Sequence, residues 1–63
     1  MRMSEKLKYQ RKKSGFSQGD VAKKLNITRQ AISQWERGKS CPDLENLHLI
    51  SGIYHVDLSY FFD

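Results

Sequence analysis

The chain has one cysteine, one proline and, beyond residue 40, no lysine or arginine. Cys41 alone excludes an internal disulfide. With His48 and His55 as the only histidines, it cannot complete a four-ligand zinc site of the usual kind. The four glycines are scattered, so there is no glycine-rich phosphate loop, and there is no internal repeat or low-complexity segment. No apolar run approaches the roughly 20 residues of a membrane span, and the N-terminus lacks the apolar stretch of an export signal. A carboxylate pair, a nucleophile with its base and a metal cluster are all missing, which argues against an enzyme. These absences lead us to expect a soluble, unexported, cytoplasmic protein with no cofactor, no metal and no small-molecule ligand.

What is present is short and basic. At 63 residues there is room for one domain, spanning 1–63, that removes roughly 60% of its unfolded surface from water. Net stability of only a few kcal/mol is expected, so local signals must agree with one another. The net charge of +4 conceals a division. All 11 Lys and Arg lie before residue 41 beside Glu5, Asp20 and Glu36, leaving +8 there; Asp43, Glu45, Asp57 and Asp63 leave −4 after it. Such polarity points to an anionic partner for the first two thirds, with nucleic acid leading and a merely solvated basic surface as the plain alternative.

Periodicity predicts an all-α fold, a compact bundle of five short helices with no strand. Met3 and Leu7 begin a stripe that turns polar at Gln10, Arg11 and Ser14 and stops at Gly15. Arg11 on that inner side must find an acid or a carbonyl to offset its desolvation. Ser17 caps a second helix running to about Leu25, with Gln18, Val21, Ala22 and Leu25 on one stripe and Asp20 favouring the start. Asn26 and Ile27 form a very short link to Thr28, the next cap, so the second and third helices must fold back steeply as a helix-turn-helix. Gly38 closes the third helix, and Ser40, Cys41 and Pro42 form an extended connector. Asp43 caps a fourth helix with Leu44, Leu47, Ile50 and Tyr54 as core candidates, its end weakened by Gly52. A last helix begins near Asp57, with Leu58, Phe61 and Phe62 turned inward.

The third helix, at about 28–37, carries the sharpest pattern. In TRQAISQWERG, Ala31, Ile32 and Trp35 share one face, while Arg29, Gln30, Ser33, Gln34 and Arg37 share the other. Trp35 reads as core because its companions are apolar. The polar face suits the major groove, which admits a helix: Arg can grip guanine O6 and N7 in a fork, and Gln can do the same for adenine N6 and N7. Thr28, Arg29, Gln30, Ser33 and Gln34 are therefore the candidate base readers. Gln18, at the positive end of the second helix, is a candidate phosphate contact that could also bond Gln30 across the motif. Arg11, Arg37, Lys39 and Ser40 are further phosphate candidates, as are Lys12 and Lys13; each has a solvated surface residue as its plain alternative.

The stretches FSQGDVAKKLNITRQAISQWERGKS and PDLENL resemble the helix-turn-helix family of phage repressor and Cro proteins (the XRE type), which includes many small prokaryotic transcriptional regulators. The resemblance covers nearly the whole chain. It implies a lambda repressor-like DNA-binding domain whose second motif helix lies in the major groove, acting as a repressor on double-stranded operator DNA. It further implies that Gln18 is a phosphate-binding glutamine, that Gln30 and Gln34 face bases, and that Arg11 and Glu36 form a structural ion pair. A homodimer on a palindromic operator follows by the same likeness. The last third departs from the family pattern at His48, Leu49, Gly52 and Tyr60. Val56, Leu58 and Tyr60 form a candidate dimer surface, against ordinary surface residues as the alternative. An antitoxin, or a protein-interaction module on the same fold, is the competing function.

Overall fold

A computed structural model describes residues 1–63 throughout. Four α-helices, α1 (Met3–Lys13), α2 (Gln18–Leu25), α3 (Arg29–Glu36) and α4 (Leu44–Tyr54), precede a 3-10 helix at Leu58–Phe62, and there is no strand. The expected fifth helix is thus corrected to one 3-10 segment. Five residues are too few to sustain α geometry, and the Tyr60 N–H closes back on the Asp57 carbonyl, three residues earlier.

The starts of α2, α3 and α4 are each held by a capping side chain. Ser17 and Asp20 bond reciprocally: the Asp20 N–H donates to Ser17 Oγ at 3.0 Å and the Ser17 N–H to Asp20 Oδ2 at 2.9 Å. Thr28 Oγ1 accepts from the Ala31 N–H at 3.2 Å, and Asp43 Oδ1 from the Asn46 N–H at 2.8 Å. Each α-helix ends on a residue in the left-handed region: Gly15, Asn26, Gly38 and His55. The N–H one residue later reaches back five positions in every case, as in Phe16 to Arg11, Ile27 to Ala22, Lys39 to Gln34 and Val56 to Ser51. This closure satisfies a carbonyl that the helix end would otherwise leave unpaired.

The core joins Leu7, Val21, Ala22, Leu25, Ile32, Trp35, Leu47, Ile50, Tyr54 and Phe61. Two expected core residues lie outside it. Leu44 is 64% exposed, while Pro42 of the connector is buried near that end of α4 instead. Phe62 is 61% exposed, because three residues per turn align Leu58 with Phe61 and leave Phe62 off that face. α4 passes through Gly52 without interruption.

The inner side of α1 is polar and paired. Lys6, Gln10 and Arg11 are buried beside Leu7, whereas Ser14 is exposed. Lys6 Nζ donates to the carbonyls of Tyr60 at 2.7 Å and Asp63 at 2.6 Å and lies 5.0 Å from the Tyr60 ring centroid. Gln10 Nε2 donates to Tyr60 Oη at 3.2 Å. The first helix thereby fastens the last one.

Candidate nucleic-acid interface

The sequence of α3 divides it cleanly. Ile32 and Trp35 are buried and Ala31 half-buried, which turns the opposite side outward. There Thr28, Arg29 and Gln30 are exposed, Ser33 and Gln34 half-buried, and Arg37 exposed at the far end. Thr28 uses a lone pair to cap the helix, so its hydroxyl proton remains available to an acceptor. Arg37 folds back along its own helix, with Nε 3.4 Å from the Ser33 carbonyl. Lys39 and Ser40 follow in the exposed loop beyond α3. The side that faces away from Trp35 therefore offers guanidinium, amide and hydroxyl groups in one row.

Behind the row sits a buried ion pair. Arg11 Nε donates to Glu36 Oε2 at 2.7 Å and Nη2 to Oε1 at 3.0 Å, and Nη1 takes the Phe16 carbonyl at 2.9 Å. The two side chains are only 10% and 4% exposed. The hydrogen bond to Glu36 raises the Arg11 pKa further, against the opposing effect of burial. Tyr54 lies within the field of the same pair. Burial raises its phenol well above the usual range, and the Glu36 charge adds to the shift. Each nitrogen of the Arg11 guanidinium makes a bond within the fold, where Glu36 neutralises it, and this geometry lends no support to the phosphate contact expected of Arg11.

Gln18 departs from expectation as well. It does not bond Gln30. Its Nε2 donates to Glu36 Oε1 at 3.1 Å, and its Oε1 accepts from Arg29 Nη1 at 3.0 Å. Gln18 and Arg29 each open a helix directly after its cap, and the fold-back of α2 on α3 brings these two first turns together. Sequence spacing alone does not separate Arg29 from Gln30 as the partner, because the two lie one position apart. Lys12 and Lys13 are exposed at the end of α1. Lys6 of α1, whose burial no local pattern indicated, is engaged instead by the carbonyls of Tyr60 and Asp63.

Val56, Leu58 and Tyr60 are half-buried and packed against the core, and Tyr60 is engaged by both Lys6 and Gln10. The exposed apolar side chains of the last third are Leu44, Leu49 and Phe62. No group of His, Cys, Asp and Glu is placed to hold a metal, and no helix is long and apolar enough to cross a membrane.

Comparison with known proteins places this geometry in context. A family model described as helix-turn-helix matches residues 7–61. The chain is 37% identical over 60 residues to the HTH-type transcriptional regulator ImmR of Bacillus subtilis, covering 95% of this chain and 47% of that protein. An HTH-type transcriptional regulator of Methanocaldococcus jannaschii is 38% identical over 60 residues, covering 95% and 91%. Among solved structures, the P22 c2 repressor protein in complex with a synthetic operator superimposes with a TM-score of 0.90 at 33% identity, covering 97% of this chain and 92% of that one. The lambda repressor-like arrangement of helices is therefore shared, while the chain spans about half or less of the length of several curated relatives, ImmR among them.

Proposed function

The chain belongs to the helix-turn-helix family, and from that membership we propose that it binds double-stranded DNA sequence-specifically and regulates transcription, as a repressor occupying an operator. The observation that supports this most is the division of α3: Trp35 and Ile32 face the core, so Arg29, Gln30, Ser33 and Gln34 face outward on a chain whose cations all precede residue 41. In this reading residues 1–63 work as one DNA-binding domain in the cytoplasm, without catalysis. Thr28, Arg29, Gln30, Ser33 and Gln34 read bases; Arg37, Lys39 and Ser40 contact phosphates, with the N-terminus of α2 at Gln18 facing the backbone. Like the P22 c2 repressor in its complex, the protein would meet an operator, here as a homodimer on a palindrome with half-sites about 34 Å apart.

Selection of bound duplexes from a random pool tests the proposal. A short palindromic consensus supports it, and unrelated duplex competing equally in a gel shift at physiological salt would defeat it. Gln34→Ala should relax preference at one base pair by about 1–3 kcal/mol and leave the fold intact. A protein-interaction role on the same fold predicts binding that depends weakly on salt, whereas an antitoxin role is told apart by an acidic partner protein encoded in the same operon.

A further inference from the structure

We infer that Glu36 is a specificity-positioning residue which, acting through Gln18, presets the guanidinium of Arg29 for a guanine edge. The inference rests on the DNA-reading role proposed for α3. A continuous series of hydrogen bonds carries it. Glu36 Oε1 accepts from both Arg11 Nη2 at 3.0 Å and Gln18 Nε2 at 3.1 Å, and Gln18 Oε1 accepts from Arg29 Nη1 at 3.0 Å.

The chemistry of the three groups fixes the direction of that series. A carboxylate only accepts and a guanidinium only donates. An amide between them satisfies both in one orientation, with its NH2 toward Glu36 and its carbonyl toward Arg29. Arg11 neutralises the Glu36 charge from the other side, in a place from which water is largely excluded. Two consequences follow for reading. The outward group of Gln18 is an acceptor, so it holds a donor such as arginine at position 29. With Nη1 tethered, Arg29 keeps Nη2 and Nε free as a fork, the geometry that matches guanine O6 and N7. A tethered fork loses less rotamer freedom on docking than a loose one, and a loose arginine serves a phosphate as well as a base. The tether therefore acts on discrimination more than on total affinity.

The test uses the full chain and the duplex selected on it. Arg29→Ala first identifies the base pair read by Arg29, as the one whose guanine preference collapses. Gln18→Met keeps the length of the side chain, removes both of its hydrogen bonds and leaves the Arg11–Glu36 pair in place. Arg11→Met combined with Glu36→Leu replaces the pair by apolar groups, an exchange that buried pairs often tolerate. We expect both variants to reduce discrimination at that base pair from about tenfold or more to about threefold or less, with the salt slope and the preference at the Gln34 base pair unchanged. Adding Arg29→Ala to Gln18→Met should then cost no more than that remaining threefold at that base pair. Should the double replacement fail to fold, Gln18→Met decides alone. Wild-type discrimination in Gln18→Met or in a folded Arg11→Met/Glu36→Leu chain, an equal loss at every position, or an Arg29→Ala chain with unchanged preferences each overturns the inference. A wild-type chain that selects no sequence overturns the DNA-reading proposal itself and this inference with it.

Discussion

At the residue scale, the decisive groups are charges held inside or at the edge of the fold. Arg11 grips Glu36 through two N–H groups, so removing it strands the Glu36 carboxylate where little water reaches. Arg11→Ala should cost about 3–5 kcal/mol in urea unfolding, against a stability of only a few kcal/mol for a domain of this size. Asp20 is a milder case. Its bonds with the Ser17 backbone and then the Ser17 hydroxyl hold its carboxyl below the usual value, with smaller help from Lys24 and Lys23. A carboxyl whose folded pKa is depressed adds stability above its unfolded pKa of about 3.9 and loses it as pH falls through the folded value. The melting temperature of the wild type should therefore fall toward that of Asp20→Asn below about pH 4, while the gap between them stays constant from pH 5 to 7. The inward place of Arg11 was legible from its stripe, and its partner from family likeness alone. Lys6 was not legible: its acceptors are backbone carbonyls more than fifty residues away, and no local spacing records them.

At the scale of elements, starts and two of the stops were written in the sequence. Ser17, Thr28 and Asp43 are short polar side chains before apolar periodicity, and Gly15 and Gly38 are suited to positive φ. The stop at His55 was hidden, because histidine carries no such preference, and the last helix was misjudged in type because 3.6 and 3.0 residues per turn differ little over five residues. Gly52 was expected to weaken the end of α4. A Cβ built there meets nothing within 4 Å, and the helix runs on to Tyr54. Gly52→Ala should thus stabilise the protein by about 1 kcal/mol, seen as a higher urea midpoint with an unchanged slope. The Arg29–Gln18 contact lay beyond sequence reasoning for a different cause: one residue of offset between Arg29 and Gln30 is decided by how α2 crosses α3, which neither helix specifies alone.

At the scale of the whole molecule, the proposed association with DNA turns on the separation of charge along the chain. All the cations precede residue 41, and Lys39 stands exposed just past α3. Lys39→Ala should weaken binding to every duplex alike and flatten the dependence of log affinity on log salt by about one unit, measured by titration across salt concentrations. The candidate dimer residues Val56, Leu58 and Tyr60 serve the core of their own chain in part, which sequence patterning could not separate from a role in pairing. One feature shared by all four α-helices bears on how the molecule comes together at all. Each left-handed stop is closed by N–H and carbonyl groups only a few positions apart, so the breaks between rods need no distant contact to form. The conformational search is then a docking of a few short segments with little loop to close, and refolding in microseconds to milliseconds is the speed that such a topology sets.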